Sequence, residues 1–324
     1  MKVLSFFFKA RVVEKTGDDT AASSLLAFVW RMTRWHQVWA CLLAVLVAIL
    51  NLAPIELQRR IVNEVVETQN VPLLLQFGMF YLGIIIVHQA VKMALNTYQV
   101  WMTESTNLYT RRHLLGLYGN SINDEGDKNS GQVVSIVGTE VDKLGGFVGE
   151  GLSQSCANVA LLVGVLGYML VVEPTIALFA VGFLIPQIIV TPLMQRYLNK
   201  LVERHVGYMR TLGDEVSELD ATHEPNDLGI LKKIFSNRLR FNMLKFLLKA
   251  ILNLLNSLGP LAVLLYGGYM VMMGETQVGV IVAFISGFDR ISGPVRELVG
   301  FYRVCAQANV QHRMISKWMD KMAN

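Results

Sequence analysis

The sequence predicts an all-α membrane protein: six transmembrane helices with long cytoplasmic extensions, preceded by an N-terminal interfacial elbow helix. Three observations carry this. First, of 324 residues 53% are hydrophobic and only 17% charged, with a mean hydropathy of +0.42. Soluble domains carry about 25% charged residues, so a soluble enzyme of this length is the first class to be excluded. Second, the apolar residues gather into six runs, at 38–57, 73–95, 153–172, 174–194, 247–272 and 278–301, each close to the ~20 residues that cross a bilayer. Third, the basic residues are sorted. Of 29 Lys and Arg, 26 lie in 1–36, 96–152, 195–249 and 289–324, and the other three are Arg59, Arg60 and Lys92. The positive-inside rule therefore places both termini and both long gaps in the cytoplasm.

Residues 1–24 read as a cytoplasmic N-terminal segment. The first 36 residues hold no apolar stretch followed by a small-residue cleavage site, so the first crossing is expected to do its own targeting. Leu25, Phe28, Val29 and Met32 fall at i, i+3, i+4 and i+7, with Arg31 and Arg34 opposite, which gives an amphipathic helix suited to lying in the interface. Trp30, Trp35 and Trp39 extend it as an aromatic belt. A helix packed on the cytoplasmic extensions is the alternative.

Short and long gaps alternate between the runs. Residues 58–72, the pair Glu173 and Pro174, and 273–277 form the short connections on one side, and 96–152 and 195–246 the long ones on the other. Pro174 is expected to split two crossings at a tight turn. The long gaps contain helix formers and few prolines, so each reads as a pair of helices projecting roughly 35–40 Å beyond the bilayer at 1.5 Å per residue. Their tips are NDEGDKNSG, Asn123 to Gly131, dense in turn residues, and HEPND, His223 to Asp227, where Pro225 ends a helix.

With these elements in place, three stretches resemble a known family. LLAFVWRMTRWHQVW, Leu25 to Trp39, is similar to an elbow helix leading into a first crossing. SGQVVSIVGTEVDKL, Ser130 to Leu144, looks like the segment after a first coupling helix. LLYGGYMVMMGETQVGVIVAFISGFDRISGPVREL, Leu264 to Leu298, looks like a last helical hairpin, with its Gly-Gly-Tyr, its Gly-Glu turn and its proline-containing end. Together they resemble the transmembrane domain of ABC exporters of the type IV fold, over about residues 25–320. The resemblance implies two such halves around a cavity that opens alternately to each side, with swapped helices carrying the cytoplasmic tips to ATPase domains. The residues that would touch those domains are Asp124, Glu125, Gly126 and Asp127 in the first tip and Thr222, His223 and Glu224 in the second. DLGILKKIF, Asp227 to Phe235, matches the family's pattern after the second tip only in part.

No nucleotide-binding domain is expected within these residues. The G-x-x-x-x-G-K-[ST] loop needs a lysine and a magnesium-binding hydroxyl, and the nearest approach, Gly126 to Val133, offers Gln132 and Val133 in their place. This chain alone is thus not expected to hydrolyse ATP. ATP and magnesium would sit on a partner ATPase subunit or domain, and no cofactor or metal is expected on the chain itself. Asp127, Asn129 and Gly131 do not complete a calcium loop, because its last position falls on Gly138. Cys41, Cys156 and Cys305 show no metal or disulfide spacing and read as small core residues. A net charge of +4 gives no case for a nucleic-acid partner.

Within the crossings, His88, Lys92, Asn96 and Gln99 form a polar stripe on one helical face. Ionisable groups at membrane depth usually face a bundle interior or aqueous cavity, so the stripe is the first candidate for substrate binding; the alternative is that Lys92 snorkels or pairs structurally. Gly145 and Gly149 suggest a close helix contact, Asp289 and Arg290 a structural role, and the 15 methionines greasy core packing. The leading reading is the membrane-spanning subunit of an ABC exporter in a bacterial inner membrane, moving a lipid, drug or peptide as half of a homo- or heterodimer. The rivals are a proton-coupled transporter on the same fold, with His88, Glu56 and Glu173 as proton sites, and a non-transporting membrane scaffold or regulator.

Overall fold

A computed structural model of the chain describes residues 9–10, 22–66, 69–122, 133–134, 136–217 and 229–323. Every regular element among them is helical: α1 (Leu25–Thr33), α2 (Trp35–Arg60), α3 (Val71–Ile122), α4 (Ile136–Val172), α5 (Pro174–Gly182), α6 (Leu184–Ser217), α7 (Gly229–Met272) and α8 (Val278–Ala323). Among the described residues six helical stretches are long and apolar enough to cross a membrane, Trp35–Val65, Val71–Gly119, Ile136–Val172, Pro174–Gly213, Gly229–Met272 and Val278–Asp320, and each contains one of the six apolar runs. Most of them extend well past the apolar run itself. At 1.5 Å per residue, the 52 residues of α3 reach roughly 78 Å, more than twice a bilayer's hydrocarbon thickness.

Local chemistry sets the helix ends. Ser24 Oγ accepts from Ala27 N at 3.2 Å and caps α1. Arg34, at φ 46°, turns the chain between α1 and α2. A π-helical turn, Ile61–Val66, carries α2 into the connection that was expected to begin at residue 58, so this gap is shorter than the sequence suggests. Asn70 Oδ1 caps α3 by accepting from Leu73 N at 3.1 Å. Pro174 opens α5 where its missing N–H costs nothing, and Ala177 N donates to Glu173 O at 3.1 Å, so the turn expected there is a one-residue break. At the end of α7, Gly274 adopts φ 76° while its N–H donates to Val271 O and that of Glu275 to Met270 O. This is a Schellman cap, the reason the Gly-Glu turn needs its glycine.

The chain divides into two compact units, residues 1–168 with 293–324, and residues 169–292. The first has a core of Phe28, Val29 and Met32 from α1, Leu114 from α3, Val141, Leu144 and Val148 from α4, and Ile315 and Trp318 from α8. All of these lie outside the six apolar runs. The helical extensions therefore have a protein core of their own, built from scattered apolar residues as in a soluble bundle. It also revises the reading of α1. The face expected to lie on the membrane is buried in this core, so the alternative of a helix packed on the extensions holds for that face, while Leu26 and Trp30 remain exposed.

In the second unit α6 and α7 run antiparallel. Asn237 Nδ2 donates to Leu201 O at 2.9 Å near one end and Gln187 Nε2 to Asn256 Oδ1 at 2.8 Å towards the other. Ser292 Oγ donates to the same Asn256 oxygen at 3.0 Å. Gly259 lies against the fully buried ring of Phe288, where an added Cβ would come within 2.0 Å of Cζ.

Candidate functional site

Helix α3 carries the polar stripe, and its residues do not share one environment. His88 is half-buried, Lys92 and Asn96 are exposed, and Gln99 is buried. Gln99 Nε2 donates to Ser153 Oγ of α4 at 2.8 Å, which makes it part of a helix contact. That contact follows a strict register. An added Cβ on Gly145 would meet Asn107 Oδ1 at 1.9 Å, and one on Gly149 would meet Thr103 Oγ1 at 2.1 Å and the Gln99 carbonyl at 2.6 Å. Each turn forward along α4, through Gly145, Gly149 and Ser153, thus meets a turn back along α3, through Asn107, Thr103 and Gln99. Small residues on one helix admit the polar side chains of the other, and the expected close approach at Gly145 and Gly149 is present. Beyond it Asp142 Oδ1 accepts from Asn107 Nδ2 at 3.1 Å and Arg111 Nη2 at 2.6 Å, while Arg111 Nε donates to Val137 O at 3.0 Å.

Near the exposed part of the stripe, His36 at the start of α2 shares a hydrogen bond with Tyr98 OH. The Tyr98 and Trp101 rings stack at 5.6 Å, and Trp101 Nε1 donates to Lys9 O at 3.0 Å. Lys92 and Asn96 therefore lie within two turns of an aromatic cluster that joins the first two membrane-spanning helices.

A second polar group sits at the far end of α2. Glu56 accepts from Arg59 Nε and Nη2 at 2.8 Å each, from Arg60 Nε at 2.7 Å and from Tyr168 OH of α4 at 2.9 Å, and Gln58 Nε2 donates to Tyr81 OH of α3 at 3.2 Å. Three helices are tied where α2 meets its π-helical turn. This arrangement favours a structural clamp at Glu56 over a proton carrier. Glu56→Ala leaves two guanidiniums without their shared acceptor and is expected to cost about 1–3 kcal/mol, read as a lower thermal midpoint of tryptophan fluorescence in detergent. A proton carrier would instead give a Glu56→Gln chain of normal stability and no flux.

Sequence reasoning missed a cavity of 410 Å³ between α4 and α8 of the first unit. Its walls carry Gln154 and Asn158 from α4 and Gln307 and Gln311 from α8, two amide pairs each spaced i, i+4. The spacing was visible in the sequence. What was not visible is that the two pairs face each other across 150 residues of chain.

The seven residues expected to dock on an ATPase, Asp124, Glu125, Gly126, Asp127, Thr222, His223 and Glu224, lie outside the described residues. So do Asn123 to Gly131, the first tip, and Pro225, the centre of the second. The helices that lead to them are described: α3 ends at Ile122 and α7 begins at Gly229. Cys41, Cys156 and Cys305 are free thiols and half-buried, so the expectation of core cysteines is met only in part. Among the described residues no group of three or more His, Cys, Asp or Glu is placed to hold a metal.

The model of the ABC transporter transmembrane region matches residues 38–218 of the chain, more than half its length. The chain belongs to that family. A search of curated proteins finds no match. Membership makes this ABC transmembrane region an integral, multi-pass membrane transport protein, and family members in general associate with ABC ATPases and dimerise. The match begins inside α2 and ends just past α6, so it takes in the polar stripe, both sides of the α3–α4 contact and the first tip.

Proposed function

We propose that this ABC transmembrane region is the membrane-spanning half of an exporter in a bacterial inner membrane, with both termini cytoplasmic. It pairs with a second half, identical or related, and alternates access to a hydrophobic or amphipathic substrate. The energy comes from ATP and magnesium on an ABC-type ATPase subunit or domain. One observation carries the reading: α3, α4, α6 and α7 continue as helices well past their apolar runs, flank the two tips in sequence, and in the first unit have a protein core of their own. Long, rigid stalks that end in short polar tips suit docking to a soluble partner outside the bilayer. None of the most apolar stretch of α3 is buried, which leaves that surface for lipid or for the second half.

The docking reading predicts that cysteines placed at Glu125 and His223, in a chain whose own three cysteines are replaced, cross-link to a co-expressed ABC-type ATPase. Cross-links at Glu125 alone would show that the partly matching second tip has lost its contact. For the substrate path, Lys92 and Asn96 are the stripe residues left open. Lys92→Ala is expected to reduce transport of an anionic or amphipathic substrate about tenfold, the effect of one charge-assisted hydrogen bond. Unchanged transport would remove Lys92 from the path and leave it a snorkelling residue.

A further inference from the structure

The lining of the cavity between α4 and α8 is largely apolar, with four amide side chains set into it. Asn158 and Gln311 are only 8% and 4% exposed, and both face the cavity. Gln154 and Gln307 stand at its mouth. None of the four amides is held by a hydrogen bond to the protein among the described residues. A buried carboxamide offers two donors and two acceptor sites, and leaving these unmet costs free energy unless water or a ligand supplies partners. The two pairs, one on each wall, form two ladders, each with one buried and one exposed amide at the turn spacing of a helix, about 6 Å between rungs.

Beneath them, Phe147 and Phe301 stack at 6.3 Å and 15° to form an apolar floor. Charges of both signs stand at the rim, with Glu150 and Glu297 against Lys143 and Arg303. A lipid tail or an apolar drug would bury the amides without replacing their hydrogen bonds to water. A ligand that itself alternates N–H and C=O groups would satisfy both ladders, place an apolar side chain on the phenylalanines and meet either charge at its ends. The cavity volume of 410 Å³ suits a small ligand, about three residues of a peptide by comparison with ordinary ligand pockets.

We propose that this cavity binds a short peptide or a peptide-like polyamide segment of the transported molecule. It rests on the exporter reading and narrows the substrate to one class.

The test uses the full chain in nanodiscs and two probes, a dansylated tripeptide amide and a dansylated dodecylamide, with binding read by fluorescence anisotropy. The tripeptide is expected to bind the unaltered chain and to weaken at least tenfold in the Gln154→Leu/Gln307→Leu variant. Both positions are exposed, so the fold is spared, and the alkyl probe should bind that variant as well as before or better. The Gln154→Asn/Gln307→Asn variant, which keeps the amides, should retain part of the tripeptide affinity. Equal tripeptide binding to the leucine variant overturns the proposal. Binding of the alkyl probe alone also overturns it and leaves the exporter reading standing. If neither probe binds, and neither is moved by vesicles carrying the chain with its ATPase, both readings fall.

Discussion

Gly149→Leu is expected to abolish the folded chain, seen as loss of a monodisperse peak in detergent and of membrane-inserted protein. At this position an added Cβ meets the Gln99 carbonyl at 2.6 Å and Thr103 Oγ1 at 2.1 Å. The hydroxyl can rotate aside, but the carbonyl belongs to the backbone of α3 and moves only if the helix moves. Separating α3 from α4 breaks the Gln99 to Ser153 hydrogen bond and strands buried polar groups along the contact, each at about 1–3 kcal/mol. Overpacking adds about 1–3 kcal/mol, so even Gly149→Ala should lower the thermal midpoint. The control is Gly146, one turn of the chain away in sequence terms yet with no atom within 4 Å of an added Cβ. Gly146→Ala should be neutral or slightly stabilising, because alanine is the better helix former. Equal behaviour of the two glycines would refute the register.

The second large effect is expected at Gly259. A Cβ there would come within 2.0–2.5 Å of three ring atoms of Phe288, whose side chain is fully buried. The ring cannot swing away without opening the core where α7 meets α8. Gly259→Leu should therefore destabilise the second unit by at least about 3 kcal/mol, detected as proteolysis of residues 169–292 before the rest of the chain. The pair Gly259→Ala with Phe288→Leu should recover much of the loss, since the smaller side chain vacates the space of the added methyl group. Gly268, with nothing near its Cβ, is the control. No rescue in the double variant would mean that the glycine is required for some reason other than this ring.

The fold was legible where composition and spacing are one-dimensional. The six runs and the sorting of basic residues depend only on bilayer thickness and charge, and six helices follow. The small-residue spacing at Gly145 and Gly149 also named a real contact. The amphipathic face of Leu25, Phe28, Val29 and Met32 was equally plain, but amphipathicity says that a face is buried and not in what. Here protein took the place of lipid, because Leu114, Ile315 and Trp318 from distant parts of the chain meet it. The polar stripe was legible as a shared helical face but not as a set of environments. Helical periodicity put Gln99 beside Lys92, yet Ser153 of another helix decided that Gln99 is buried while Lys92 stays open. The four amides of the α4–α8 cavity were missed for the same reason, since no local pattern joins Asn158 to Gln311.

The central claim, that this ABC transmembrane region moves a substrate with energy from an ABC ATPase, is tested by flux. Inverted vesicles containing the chain and its ATPase should take up the dansylated tripeptide amide only with ATP and magnesium. Uptake should stop with vanadate and persist when a protonophore collapses the proton gradient. Uptake that ignores vanadate and disappears with the protonophore would contradict the account and restore the gradient-driven rival, and stable ATPase binding with no uptake of any probe would make the chain a scaffold.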